Sequence, residues 1–263
     1  MELSFYKYQG TGNDFVVVDN RWNIISKNDT NLIKRLCDRK FGIGADGLLL
    51  LENPVREDQD FRMVYFNADG RESSMCGNGG RCIVAFAHFL ELIGEQCSFT
   101  AIDGLHKAKV GDHDLISLQM QDVDSVEDHK DYMFVDTGSP HHVVFVKDVD
   151  AVDVPAEGAA IRNSERYRAQ GGTNVNFVEV QEEGRLKVRT FERGVEDETL
   201  SCGTGVTAAA LAAHRIKHVN ADEVEILTPG GKLKVSFGSN SSGYSEIWLS
   251  GPAKQVFKGT IRH

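Results

Sequence analysis

The chain has no basic surplus, no paired-cysteine framework and no long apolar run, and each absence removes a class of function. Lys and Arg number 29 against 39 Asp and Glu, a net charge of −10. No Lys/Arg cluster supplies the basic stripe that a nucleic-acid partner requires. Apolar stretches such as Leu48–Leu51 are strand-sized and far short of a membrane span. The opening residues Met1–Lys7 lack the basic and apolar blocks of a signal peptide, so a cytoplasmic protein without a membrane partner is expected. The five cysteines, Cys37, Cys76, Cys82, Cys97 and Cys202, are an odd set with no C-x-x-C pair. That pattern argues against both a disulfide scaffold and a zinc ribbon. Proline is scarce at 5 while glycine reaches 26, a balance that suits tight turns between short elements.

The sequence is nonetheless rich enough to fold. A hydrophobic content of 41% over 263 residues supports one large core or two modest ones. Segments that alternate or stay apolar between turn residues predict strands at Phe15–Val18, Leu48–Leu51, Phe61–Phe66, Leu115–Met120, His142–Val146, Val175–Val180, Leu186–Phe191, Val224–Leu227, Leu233–Phe237 and Glu246–Leu249. Helical patterns are fewer: Thr30–Arg39, Arg81–Leu92 and Val206–Arg215. At an offset of 126 residues, Cys76-Gly77-x-Gly79 matches Cys202-Gly203-x-Gly205, and Ala87-His88 matches Ala213-His214. Each cysteine follows a strand ending near a phenylalanine (Phe66, Phe191) and a turn. Both following helices are apolar nearly all round, the mark of a buried helix. The fold class is therefore read as α+β: two pseudo-symmetric halves, each a mixed sheet curled around a central helix. The halves are 1–120, carrying Cys76, and 121–263, carrying Cys202, with the last strand free to return to the first half.

Two motifs mislead. Gly42-Ile43-Gly44-Ala45-Asp46-Gly47 satisfies the dinucleotide pattern, but that fingerprint needs a strand before it and a helix after, and here the order is reversed. His214 and His218 stand at i and i+4 beside Arg215 and Lys217 with no acidic partner in sequence. They read as a basic helix C-terminus, not a metal pair. No metal site is expected.

Cys76 and Cys202 carry the stronger signal. A helix N-terminus presents unpaired amides and partial positive charge, which lowers a thiol's pKa and cradles a carboxylate. A buried cysteine at a tight turn fits either site taken singly; two equivalent sites, facing one another across an interdomain cleft, would suit inversion at an amino-acid α-carbon. One thiolate removes the α-proton, a thiol on the opposite face returns one, and the helix ends stabilise the enediolate.

Along nearly its whole length the chain resembles diaminopimelate epimerases. The resemblance is carried by Lys7–Phe15, Gly42–Gly47, Phe66–Gly70, Met75–Arg81, Thr173–Phe177, Glu192-Arg193-Gly194 and Glu198–Gly205. It implies a cofactor-independent isomerase that interconverts LL- and meso-2,6-diaminopimelate in lysine and peptidoglycan precursor biosynthesis, commonly a homodimer. It also implies that Cys76 and Cys202 are the acid/base pair, and that the amides of Gly77-Asn78 and Gly203-Thr204 hold the reacting carboxylate. Asn13, Asn67, Asn174, Glu192 and Arg193 match positions that hold the far end of the substrate, and His141 and Glu192 match residues that modulate the thiols. Chemistry agrees: Arg193 can grip a carboxylate bidentately, Glu192 can pair with an ammonium, and the asparagines can serve either group. The chain departs from the commonest pattern at Ser139, where many relatives carry a substrate-contacting Asn. It departs again at Phe257, where relatives carry a tyrosine linked to dimer formation. Cys37, Cys82 and Cys97 have no counterpart role. The enzymatic alternative is a proline or hydroxyproline racemase on the same scaffold; a thiol-redox protein is the alternative from another class.

Overall fold

The computed structural model describes residues 2–73, 75–241 and 243–262. The chain divides into two compact units, Met1–Leu118 with Gly251–His263, and Gln119–Ser250. In the first, β1 (Glu2–Gly10) and β2 (Asn13–Asp19) form an antiparallel hairpin. Its two turn residues, Thr11 and Gly12, have φ of 46° and 103°. Paired positive φ values match the right-handed twist of the flanking strands. Next come α1 (Thr30–Cys37), β3 (Gly47–Glu52) parallel to β2, and β4 (Phe61–Asn67) antiparallel to β3. A two-residue strand, β5 (Glu72–Ser73), folds back on β4 before α2 (Gly77–Phe89). After α2, β6 (Gln96–Ala101) runs parallel to β4 and continues into β7 (Gly104–Val110) and β8 (Leu115–Gln119).

The second unit repeats this plan. After β9 (Val126–Asp128), the antiparallel pair β10 (Met133–Asp136) and β11 (Pro140–Phe145) leads to α3 (Val154–Arg162) and then β12 (Asn174–Val180), parallel to β11. There follow β13 (Leu186–Glu192), the short β14 (Asp197–Thr199), α4 (Gly203–Arg215), and β15 (Glu223–Thr228) parallel to β13. An antiparallel run of β16 (Gly231–Asn240) and β17 (Gly243–Pro252) completes it. The final strand, β18 (Lys254–Arg262), pairs with β1.

Strand β3 shows why the central helices sit where they do. Its Gly-Leu-Leu-Leu-Leu-Glu run is buried at every position, as a strand covered on both faces must be. Leu49 and Leu51 join Phe15, Val17 and Met63 against Ile83, Val84 and Phe86 of α2. Leu48 and Leu50 point the other way, to Ile33 and Leu36 of α1. The period-two alternation of strand side chains thus feeds two separate clusters. In the second unit Val178 and Val188 pack on α4, while Val175, Phe177 and Phe191 pack against Val154 of α3.

The predicted helix Thr30–Arg39 stops at Cys37 because the Gly42–Gly47 loop closes it. The amides of Ile43 and Gly44 both donate to the Leu36 carbonyl, and Ala45 donates to Cys37. Amides spent on helix carbonyls cannot cradle a phosphate, which disposes of the dinucleotide pattern. The other two helices begin earlier than the periodicity suggests, at Gly77 and Gly203, so their glycine-rich heads form the first helical turn. Among the described residues no helix is long and apolar enough to cross a membrane.

Candidate active site

Among the described residues, the four α-helices begin in two different ways. Asp29 caps α1 by accepting the Leu32 amide at 3.0 Å, and Asp153 caps α3 by accepting the Ala156 amide at 3.2 Å. Cys76 and Cys202 occupy the N-cap positions of α2 and α4, and neither makes a side-chain capping bond. Cysteine is a poor cap, so at these two heads side-chain identity serves something other than helix initiation. Cys76 is half-buried; Cys202 is buried, with its Sγ 3.4 Å from the Thr204 hydroxyl.

In the first unit the strand ends gather polar groups around the head of α2. Asn13 opens β2, Asp46 precedes β3, and Asn67 closes β4 opposite Gly47. Asn13 Nδ2 donates to Asp46 Oδ2 at 3.0 Å, and Asn13 Oδ1 accepts from Asn78 Nδ2. Asn78 Oδ1 in turn accepts from Arg81 Nη2 at 2.8 Å. A carboxylate only accepts and a guanidinium only donates, so the orientation of both amides between them is fixed. Asp46 and Asp14 share Arg39, and Asp14 also pairs with Lys7 at 2.8 Å. These partners hold the Asp14 carboxyl well below the usual carboxylate range despite burial. Asn67 is exposed; its backbone N–H donates to the Arg71 carbonyl and its own carbonyl accepts from Gly70 in the turn before β5.

In the second unit the corresponding strand ends gather around the head of α4. Asn174 Nδ2 donates to Ser139 Oγ at 2.8 Å and to the Pro140 carbonyl at 3.1 Å, while its Oδ1 accepts the Arg193 amide at 2.9 Å. Ser139 and Pro140 thus share the Asn174 amide. The Arg193 guanidinium donates to the Gly172 carbonyl at 3.2 Å and meets no carboxylate among the described residues. Neighbouring Glu192 likewise has no cationic partner there, and burial raises its pKa. The adjacent Glu-Arg pair is thus not a surface ion pair. Thr137 Oγ1 donates to the Thr204 carbonyl at 3.2 Å, tying β10 to the first turn of α4.

His141 is completely buried. Asn176 Nδ2 donates to the His142 carbonyl at 3.3 Å, and the same nitrogen lies 3.1 Å from His141 Nδ1. With Asn176 turned that way, Nδ1 accepts and Nε2 carries the proton. Nε2 has no partner among the described residues. Burial, with Arg193 adding to it, pushes the His141 pKa down to about 3, so the ring is neutral.

Sequence reasoning did not single out Asp46, Arg81, Asn176 or Thr11. Arg81 carried a signal: it is a charged residue on an otherwise apolar helix, five positions after the cysteine. His214 turns out to have an acidic neighbour, Asp222 at 3.9 Å, but its Nδ1 is engaged by the Tyr244 hydroxyl at 2.9 Å, and His218 packs edge-on against Phe145. No cluster of three or more His, Cys, Asp or Glu suited to a metal exists among the described residues. Cys37, Cys82 and Cys97 are buried, and burial pushes each thiol up to about 12.

Comparison with known proteins bears on the fold and on the family. Among solved structures, a PhzF-family phenazine biosynthesis protein from Bacillus anthracis superposes with a TM-score of 0.79 at 14% identity, covering 100% of both chains. A hydroxyproline epimerase from Agrobacterium vitis gives 0.67 at 14%, covering 99% of this chain and 92% of its own. These likenesses establish the fold of two repeated halves. The diaminopimelate epimerase family model matches residues 5–125 and 133–256. The diaminopimelate epimerase of Flavobacterium psychrophilum is 53% identical over 98% of this chain and 100% of its own length. That of Chlorobaculum tepidum is 43% identical over 96% and 98%. Both cysteine-headed helices lie inside the matched stretches, and on this full-length likeness the chain belongs to the diaminopimelate epimerase family of isomerases.

Proposed function

We propose that this protein interconverts LL- and meso-2,6-diaminopimelate, in lysine and peptidoglycan precursor biosynthesis, by proton transfer between two cysteines without a cofactor. The observation that carries the reading is the pair of Cys-headed, Gly-rich helices, one in each repeat, whose N-cap thiols make no capping bond. A thiolate takes the α-proton; the C–H electron pair moves toward the carboxylate as an enediolate; the other thiol delivers its proton to the opposite face. Each turnover leaves the two sulfurs with exchanged protonation. Amides of Gly77-Asn78 and Gly203-Thr204 are assigned to the reacting carboxylate, where fixed N–H dipoles stabilise charge as it develops.

The remaining groups are assigned to the distal amino-acid head: Arg193 to its carboxylate, Glu192 to its ammonium, and Asn13, Asn67, Asn174 and Ser139 to either. Support comes from Glu192 and Arg193 having no opposite charge among the described residues. His141 and Glu192 are assigned to tuning the thiols; a neutral His141 does so as an Nε2–H donor rather than as a cation. The reading extends to a cytoplasmic homodimer. Exposed Val256 and Phe257 on β18, the strand that pairs with β1, support a contact surface there.

The test is an assay of dialysed protein with chelator and reductant present. LL-diaminopimelate should be epimerised, and proline should be worse by about 10⁴-fold in kcat/KM, because buried polar groups reject analogues that leave them unmatched. Cys76→Ala and Cys202→Ala should each abolish turnover. Comparable rates on proline would replace this reading with the racemase alternative.

A further inference from the structure

We propose that Arg81 is a positioning residue whose fixed positive charge holds Cys76 as the thiolate of the resting protein, so that Cys76 begins as the base and Cys202 as the acid. The inference rests on the reading of these cysteines as acid/base groups and adds an asymmetry that the repeat itself does not imply.

Arg81 is completely buried. Its guanidinium folds back along the first turn of α2, donating to Asn78 Oδ1 and Thr11 Oγ1 at 2.8 Å each and to the Gly77 carbonyl at 3.3 Å, while Nε has no partner among the described residues. Every acceptor is neutral, and no carboxylate reaches it among the described residues. A buried cation without an anion is strongly unfavourable, and guanidinium does not shed its proton to escape.

The ionisable groups beside the guanidinium are two thiols: Cys82, the next residue, and Cys76, whose neighbour Gly77 supplies the carbonyl that Arg81 contacts. Cys82 is wholly buried, and its thiol, pushed up to about 12, stays protonated at neutral pH. Cys76 is half-buried at the positive end of α2, where a thiolate is already favoured. It is therefore the group able to answer the charge, releasing its proton to solvent. Other ionisable groups nearby do not compete. Burial raises the Tyr8 hydroxyl on β1, keeping it neutral. Lys7, Arg39, Asp14 and Asp46 neutralise one another beyond Asn13. Asp103, in the turn before β7, accepts the Met75 amide and pairs with His106.

The second repeat lacks the device. The residue equivalent to Arg81, five positions after Cys202, is Thr207, whose hydroxyl donates to the Gly203 carbonyl at 2.9 Å. No buried cation lies at that position of α4.

The test is alkylation by iodoacetamide as a function of pH, read at each cysteine by peptide mass spectrometry. The midpoint, not the absolute rate, is compared, because the two thiols differ in exposure. In wild type the Cys76 midpoint should lie below that of Cys202 by about one pH unit or more, the usual effect of a nearby opposite charge. Arg81→Met should raise the Cys76 midpoint by a similar amount, slowing its alkylation near pH 7 about tenfold. The Cys202 midpoint should stay put, and Arg81→Lys should recover most of the shift. A purely structural Arg81 would move neither midpoint selectively. A Cys202 midpoint at or below that of Cys76 in wild type overturns the proposal whether or not Arg81→Met folds, as does an unchanged Cys76 midpoint in folded Arg81→Met. Alkylation requires no turnover, so failure to epimerise diaminopimelate would count against the function and leave this result standing on its own.

Discussion

His141 and His142 stand side by side on β11, and burial lowers both, to about 3 and about 4, with Arg193 and Arg166 respectively adding to the effect. Each ring is therefore neutral in the folded protein and takes a proton on unfolding once the pH drops below the ordinary histidine value. Their contribution to stability is complete above roughly pH 6.5 and is lost as pH falls toward 4, where the folded rings begin to titrate as well. Urea unfolding across pH 7 to 4.5 should show stability declining by on the order of 1 kcal/mol per pH unit for each histidine. His142→Gln should remove about half of that slope. A flat profile over this window would mean that neither ring is neutral and desolvated as described. Aspartates such as Asp14, held low by Arg39 and Lys7, make their losses at more acid pH. The amide of Asn176, not a charge, is what sets the His141 tautomer, and no pattern in the sequence announces such an interaction.

At the scale of elements, equivalent glycines in α2 and α4 are not equivalent in what surrounds them. A Cβ on Gly79 would meet Leu49, Phe15 and Met63 at 3.4, 3.5 and 3.6 Å, ordinary contact distances. A Cβ on Gly205 would fall 2.3 Å from Asn176 Oδ1, the atom that receives the Thr190 hydroxyl. Gly79→Ala should be neutral or stabilise by about 0.5–1 kcal/mol, since alanine restricts the unfolded chain and favours the helix. Gly205→Ala should cost about 1–3 kcal/mol through overpacking and should also depress activity by displacing the side chain that orients His141. Thermal unfolding of the two variants decides this; equal costs would contradict the account. Elements with long apolar runs buried in the clusters were legible in the sequence: the leucine run of β3, the valines of β12 and the apolar bodies of α2 and α4. Strand β18 was not, because nearly every one of its residues is exposed and no alternation remains to be read. Helix α3 hid behind Pro155 and Gly158, two residues that break helical patterning.

Across the whole molecule, the duplicated order of strand, turn, cysteine and helix was visible from a handful of identities, and the structure extends it to matching parallel pairs, β2 with β3 and β11 with β12, then β4 with β6 and β13 with β15. Sequence identity within the repeat faded because each half packs its own core, whereas strand order and the glycine-headed helices persisted. The polar supports of the cysteine heads were harder to foresee. Asp46 sat inside a misleading glycine motif, and Arg81 belonged to a motif without declaring a purpose. The central claim is that two cysteines, one a thiolate and the other a thiol with a single proton, exchange hydrogen at a single α-carbon. Its most direct test is epimerisation of LL-diaminopimelate in D2O, stopped early, with deuterium at the α-carbon measured separately in product and in recovered substrate. The account predicts deuterium in the meso product, delivered by the second thiol, and almost none in recovered LL substrate, because reversal returns the original proton from the first. Deuterium appearing equally in both at early times would mean that one base serves both faces, and would contradict it.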